Sequence, residues 1–409
     1  MTDARVSGRT ADVRRSDAAD GGEAAVALAN RVWIERLQLT DFRNYAGLSL
    51  SVGAAPVVLT GANGSGKTNL LEAISLLTSG QGLRRAPYPE LTRMGRPSWA
   101  VAARLVTPVG PVDVGTGLTP DANGGRGARI VRIDGETQSG SGALAEQVEM
   151  IWLTPAMDGL FAGPASDRRR FLDRLISGLD PSYRPLLGQF ERAMQQRNRL
   201  LADEVRDGAR FEGFERIMAE TGVAVAAARA TAIAALSAAI GARREAVHGA
   251  LFPWAELALV GTLEAGLVAR SAIDVEDDYV QQLAGERELD RAAGRTREGP
   301  HRSDLIVGHG PKEMPAKVCS TGEQKALLIG LVLAHCDLVG QRRGGVAPIL
   351  LLDEIAAHLD PLRRAALFEE IVALGSQAWM SGTDPEAFAA LANRAQFHRV
   401  EEGRITTCR

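Results

Sequence analysis

Apolar positions fall into several patterns with different periods. Ala55 to Thr60 is a short apolar run that reads as a buried strand leading into a glycine-rich turn. Just beyond it, Leu70, Leu71, Ile74 and Leu77 recur at helical spacing, which predicts a helix from about Lys67 with Gly80 as its stop. Ile349 to Leu352 is unbroken apolar sequence, the pattern of a strand buried on both faces of a parallel sheet. Ser320 to Gly340 predicts a helix that is apolar nearly all round, through Ala326, Leu327, Leu328, Ile329, Leu331, Val332, Leu333 and Ala334, and so belongs inside a core. Phe171, Leu172, Leu175 and Ile176 line one face of a further helix. Arg168, Arg169 and Arg170 lie opposite, with Asp167 and Asp173 in pairing range, which predicts a solvated charged face.

From Pro181 to Phe252 the pattern is helical. Leu186, Leu187, Phe190, Met194, Leu200 and Leu201 mark one helix, and alanine-rich Phe211 to Leu251 marks another with Gly222 and Gly241 as weak points. No sustained heptad with charged flanks predicts a long coiled coil, and no internal repeat is visible. Trp33 to about Val114 is strand-rich, and residues 121–128 form a hairpin-like turn. Residues 1–30 lack an apolar cluster and read as a disordered tail whose interspersed acids argue against a targeting peptide.

The predicted strand–turn–helix carries chemistry. Gly61-Ala62-Asn63-Gly64-Ser65-Gly66-Lys67-Thr68 fits the phosphate-cradling pattern G-x-x-x-x-G-K-[ST]. Its glycines turn the backbone so that N–H groups point inward, and the helix N-terminus adds partial positive charge. Lys67 is expected on the β- and γ-phosphates of ATP, and the Thr68 hydroxyl on Mg2+. Asp353 and Glu354 end the apolar strand, where two carboxylates are costly without a task. Asp353 is expected to hold Mg2+, and Glu354 to polarise the attacking water. An ordinary Asp-Glu helix start is the plainer alternative. Ser320, with Gly322 and Glu323, opens the apolar helix as a capping box, and a capped helix start is also an anion site for an incoming γ-phosphate.

Composition narrows the field. The chain has 409 residues, enough for more than one lobe, and a net charge of −3, so any nucleic-acid contact must come from local basic patches. Cys319, Cys336 and Cys408 show no ligand spacing and fit a reduced cytoplasmic protein. The histidines show no metal spacing, and no unbroken run of ~18 apolar residues spans a membrane.

Ser320-Thr321-Gly322-Glu323-Gln324 and Ile349 to Glu354 resemble the signature and acidic strand of an ABC-type ATPase, with Ala357-His358-Leu359-Asp360 at the D-loop position. From Trp33 onward the chain resembles the bacterial RecF family, relatives of SMC-type ATPases. The resemblance rests on Leu39 to Tyr45, on Gly82-Leu83-Arg84-Arg85 and on Gly163 to Asp173. Gln196 to Leu201 and Gly299-Pro300-His301-Arg302-Ser303-Asp304-Leu305 complete it. It implies an α/β fold, an ABC-type ATPase head whose P-loop sheet has flanking helices, plus a helical insert lobe. The corresponding division is residues 31–179 for the first part of the head, 180–298 for the helical lobe and 299–409 for the second part. Arg43 and Asn44 are then expected near the nucleotide, and Arg84 and Arg85 on DNA phosphates.

The resemblance further implies an ATP-dependent homodimer that binds single-stranded, gapped or junction DNA. Its implied partners are the recombination mediators RecR and RecO and the recombinase RecA, in a setting of DNA repair, replication and the SOS response. Departures are present: Cys319 and Thr321 in the signature, no identifiable Q-loop glutamine near Trp152, and Ser381 rather than histidine after the strand at 377–380. They point to a slow, switch-like, DNA-stimulated ATPase. The alternative is a soluble ATPase subunit of a membrane transporter, for which the stretch between Thr68 and Ser320 is long.

Overall fold

The computed structural model describes residues 30–119, 127–245 and 252–408. The predicted tail up to residue 29, most of the predicted turn at 121–128 and the last residues of the predicted alanine-rich helix lie outside the described residues.

Strands β1 (Trp33–Phe42) and β2 (Tyr45–Ser51) form a hairpin, and β3 (Val57–Thr60) runs into the glycine-rich loop and helix α1 (Lys67–Ser75). Strands β4 (Ala100–Thr107), β5 (Gly110–Thr119), β6 (Ala128–Ile133) and β7 (Glu136–Thr137) join the hairpin in a six-stranded antiparallel sheet of order β2-β1-β4-β5-β6-β7. Helix α2 (Gly142–Gln147), β8 (Met150–Leu153) and α3 (Ala165–Leu179) close the first half of the head. Helices α4 (Tyr183–Ala202) and α5 (Ala209–Glu245) follow, then β9 (Ala255–Val260) and helices α6 (Thr262–Ala269), α7 (Ala272–Gly285) and α8 (Arg287–Ala293). The chain returns through β10 (Asp304–His309), β11 (Met314–Pro315), α9 (Thr321–Arg342), β12 (Ile349–Leu352), α10 (Pro361–Ala373), β13 (Ala378–Gly382), β14 (Gln396–Glu401) and β15 (Arg404–Cys408).

The second sheet has the order β15-β14-β3-β13-β12-β8, parallel except for the β15 edge. Strands β3, β8, β12 and β13 are buried on both faces because each face covers a different core, and alternate residues divide between them. Val57, Leu59, Ile349, Leu351, Met150, Trp152 and Trp379 face the core shared with α1 and the antiparallel sheet. Val58, Leu350, Leu352, Ile151, Leu153 and Met380 face the core built by α3, α5, α9 and α10. A separate cluster around Phe190, Met218, Val223, Val275 and Tyr279 holds the helical region together.

Three expectations change on contact with the structure. Helix α1 stops at Ser75, short of Gly80. The Ser75 hydroxyl donates to Glu72 O and accepts from Leu83 N at 2.7 Å each, so the following segment folds back over the helix end. Gly222 does not weaken α5. A Cβ there would lie 3.2 Å from Phe190 and 3.3 Å from Tyr279, so glycine permits the close approach of those rings. The arginine face of α3 is not simply solvated. Arg168 forks onto Asp304 at 2.8 and 2.7 Å, and Arg169 donates to Ser303 O at 2.7 Å. Asp173 takes Arg229 at 2.9 and 3.0 Å and the Tyr183 hydroxyl at 2.6 Å. Only Arg170 and Asp167 pair within the helix. Local spacing lost to partners that the fold brings from α5 and β10.

Helix α5 is long and apolar enough by composition to cross a membrane, which the search for an unbroken apolar run does not register. Here that surface is used for packing: Ile233, Leu236 and Ile240 enter the head core, Met218 and Val223 the helical one. The segment Gln196 to Leu201 has a structural task. Arg197 is fully buried, with Glu215 at 3.0 Å, Asp290 at 2.7 Å, Thr296 Oγ1 at 2.9 Å and Leu283 O at 2.7 Å. Removing one member of a buried charge network strands the others. We expect Arg197→Met to lower stability by ~3–5 kcal/mol in urea unfolding followed by circular dichroism; a loss below ~1 kcal/mol would show that Arg287 and Arg297, which already pair with Glu215 and Asp290, compensate for it.

Candidate active site

The glycine-rich loop is shaped from outside. The Asn44 side chain donates to Ser65 O at 3.2 Å, Tyr45 to Gly66 O at 3.0 Å, and Gly403 N to Ser65 O at 3.1 Å. Ser65 N–H closes the loop onto Ala62 O at 3.2 Å, and with those carbonyls tied outward the other loop N–H groups are left for its concave side. Burial pushes the Tyr45 phenol far up, so it remains a neutral donor. Glycine is required at two positions. A Cβ on Gly61 would sit 2.3 Å from Val400 O, and Gly66 combines φ of 118° with Asn44 2.6 Å from the Cβ position. Ser65 Oγ is buried without a hydrogen-bond partner, as a hydroxyl in an anion cradle would be. Lys67 Nζ donates to Gly61 O at 2.8 Å and Ala62 O at 3.0 Å, and lies 3.7 Å from Glu354 Oε1. Helix α1 starts at Lys67 with no acidic residue in its own first turn, so no side chain of the helix offsets its positive end.

The acidic strand ends beside this loop. Asp353 Oδ1 accepts from Thr68 Oγ1 at 3.0 Å and from Ser381 Oγ at 2.7 Å. Ser381 Oγ in turn accepts from Glu354 N at 2.9 Å. Glu354 has φ of 50°, the left-handed region, and its side chain is 28% exposed toward Lys67. No helix begins at Asp353 or Glu354; the next helix starts at Pro361, capped by Asp360, which accepts from Arg363 N at 2.9 Å. The plainer reading of the pair as a helix start therefore falls. Thr68 and Asp353 offer a hydroxyl and a carboxylate oxygen, hard donors that suit Mg2+, with nucleotide phosphates and water completing such a site.

The signature helix is capped as its sequence predicts. Ser320 Oγ accepts from Glu323 N at 3.4 Å and Glu323 Oε2 from Ser320 N at 3.0 Å. Lys312, and after it Ser320, hold the Glu323 carboxyl down at about 2. Ser320 is exposed. Among the described residues no hydrogen bond or ion pair joins Ser320 or Gly322 to the phosphate loop of the same chain.

The structure separates Arg43 from Asn44. Asn44 touches the loop, whereas Arg43 forks onto Glu72 at 2.9 Å twice and donates to Glu90 O at 3.0 Å. Glu72 is nearly fully buried in α1 and also takes Arg84 at 3.4 Å; Arg84 reaches Asn69 Oδ1 at 2.9 Å. Arg85 points elsewhere, into an open cleft of about 370 Å³ with Arg170, Arg174, Met157 and Phe171. Arg85 and Arg174 form no ion pair among the described residues. Burial, then Arg85, brings the Arg174 guanidinium down to about 9, and its plane lies over Trp152 at 4.9 Å and Phe171 at 5.4 Å. The sequence pointed to Ser381 by its place after an apolar strand, without its bond to Asp353, and to Tyr45 only as the end of the segment from Leu39; Glu72 and Lys325 carried no signal.

A family model described as an AAA domain matches residues 36–150. A protein of Mesorhizobium japonicum named DNA replication and repair protein RecF is 53% identical over 373 residues, covering 91% of this chain and 97% of the relative. Its namesake from Brucella suis is 51% identical over 379 residues, covering 92% and 97%. Among solved structures, one described as the recombination mediator protein RecF-ATPrS in the RecFOR pathway superposes with a TM-score of 0.80 at 21% identity, covering 92% of this chain and 98% of that one. The Smc head domain of Pyrococcus furiosus gives 0.51 at 18% identity, over 92% and 96% of the two chains. The fold is thus the expected α/β ATPase head with a helical insert, and the chain belongs to the RecF family.

Proposed function

We propose that this chain is an ATP-switched DNA-binding protein of DNA replication and recombinational repair. The observation that carries the reading is the convergence of Lys67, Thr68, Asp353 and Glu354 at one end of the parallel sheet, together with a capped signature helix whose Ser320 is exposed. In this reading the loop N–H groups and Lys67 grip the phosphates. Bound Mg2+, held from Thr68 and Asp353, neutralises phosphate charge. Glu354 polarises the attacking water, and Ser320 and Gly322 of a second subunit complete the site. ATP then joins the dimer and hydrolysis releases it. Ser381 at the switch position fixes Asp353 but offers no imidazole, which supports slow turnover. The relatives' names, a DNA replication and repair protein and a recombination mediator of the RecFOR pathway, support the repair setting. The proposal extends this to action in the cytoplasm with the mediators RecR and RecO, to loading of RecA and to induction of the SOS response. Family membership removes the ground for the transporter reading.

Glu354→Gln is expected to keep ATP, lose nearly all turnover and accumulate dimers in sedimentation. Lys67→Met should lose ATP affinity, and Ser320→Arg should bind ATP but stay monomeric. Mixing those two should restore some ATP-dependent association, since one site of the mixed dimer carries both lesions and the other carries none. Normal dimerisation of Ser320→Arg alone would end the shared-site reading.

DNA contact should centre on the open cleft lined by Arg85 and Arg170, where Arg85 has no ion pair among the described residues, rather than on Arg84, which Glu72 and Asn69 hold against α1. The double change Arg85→Ala with Arg170→Ala should flatten the slope of log affinity against log salt by up to ~2 for duplex-containing DNA. Arg84→Ala should change it less. An unaltered slope in the double variant removes the cleft from the DNA surface.

A further inference from the structure

Lys325 lies on the second turn of α9, five residues beyond Ser320, and its side chain is only 5% exposed. A buried ammonium needs partners, and this one has two. Nζ donates to the main-chain oxygen of Glu354 at 3.2 Å and to Asp158 Oδ2 at 3.5 Å. Asp158 sits in the turn after β8, so the lysine bridges the signature helix, the edge of the parallel sheet and the acidic turn.

The contact falls on a constrained peptide. Glu354 adopts φ of 50°, a conformation that strains a non-glycine residue and persists only where its surroundings enforce it. The structure enforces it from both sides. Ser381 Oγ takes the Glu354 N–H, and Lys325 takes its C=O. The first hold is tied through Asp353 to Thr68 and the phosphate loop, the second to α9 and therefore to Ser320 and Gly322. With both ends of the residue fixed, the carboxylate is directed toward Lys67.

We infer that Lys325 is a positioning residue that ties the aim of Glu354 to the signature helix of the same chain. The inference rests on the composite-site reading above for its consequence between subunits. In a dimer the signature of one subunit meets the nucleotide held by the other. Glu354 of that same subunit serves its own nucleotide. A shift of α9 on meeting a γ-phosphate is therefore transmitted through Lys325 to the water-polarising group of the opposite site. The two sites then fire in concert.

Lys325→Met keeps the length and apolar stem but removes the donor and charge; Lys325→Arg restores both. The full chain would be assayed for ATP binding by equilibrium titration, ATP-dependent dimerisation by sedimentation, and steady-state hydrolysis. Lys325→Met is expected to bind ATP and dimerise within about twofold of the parent. Its kcat should fall about tenfold or more with KM little changed, and the Hill coefficient for ATP should drop toward 1. Lys325→Arg should recover most of kcat and the Hill coefficient. If Lys325→Met is poorly folded because Asp158 is left without its cation, Lys325→Met with Asp158→Asn is read instead. An unchanged kcat, or a dimerisation loss as large as that of Ser320→Arg, overturns the positioning role. If Ser320→Arg dimerises normally while Lys325→Met still lowers kcat, the composite site fails and the local hold on Glu354 stands. If kcat falls with the Hill coefficient unmoved, the transmission between sites is overturned.

Discussion

Asp353 Oδ1 receives two hydroxyls, Thr68 from one side of the nucleotide loop and Ser381 from the neighbouring strand, and this double acceptance sets the geometry of the site. A carboxylate at the end of a buried parallel strand would otherwise face low-dielectric surroundings with unmet lone pairs. The two hydroxyls satisfy it and fix the relative height of β3, β13 and β12, whose apolar residues are divided between two cores. A shift of any one strand would move residues into the wrong core and break the carboxylate's hydrogen bonds together. Packing and the polar site therefore constrain each other.

The insert is joined to the head through buried charge rather than through a simple hinge. Arg229 from α5 reaches Asp173 on α3 and Pro300 O, while Ser303 donates to the buried Glu264 on α6 at 2.6 Å. Strand β9 lies within the helical stretch but pairs with β10 of the returning chain. The segments Gly163 to Asp173 and Gly299 to Leu305 thus meet at one seam. Their arginines and acids are mutual partners there, which gives them a structural reason independent of any ligand.

Much of the scaffold was legible from short-range pattern. The strand–loop–helix at 57–75, the apolar strand at 349–352 and the capped helix from Thr321 each announce themselves in a few residues, because burial on two faces and helix capping are local rules. The partners of Arg168 and Asp173 were not legible, since Asp304 and Arg229 are distant in sequence and spacing along one helix offers nearer candidates. Arg43 was placed by analogy near phosphate, yet the turn at φ of 52° sends its side chain to Glu72, a carboxylate hidden inside an apolar helix pattern. Lys325 was read only as one residue of an apolar helix; nothing in its neighbours signals that its amine reaches a main-chain oxygen 29 positions away.

The outward clamp on the phosphate loop has a bearing on how the protein is made. Ser65 O is held by Gly403 N, Gly61 packs on Val400 O, and β3 pairs with β13 and β14 from the far end of the chain. During synthesis the loop emerges well before the residues that supply its lid of contacts. Until then β3 has open edges and a glycine-rich turn with no fixed shape, a topology of distant pairings that folds slowly and exposes sticky strands meanwhile. A prematurely ended chain carries every residue of the phosphate motif and still lacks the main-chain groups that shape it. Nucleotide binding therefore reports that β13, β14 and the turn after them have been made and have docked.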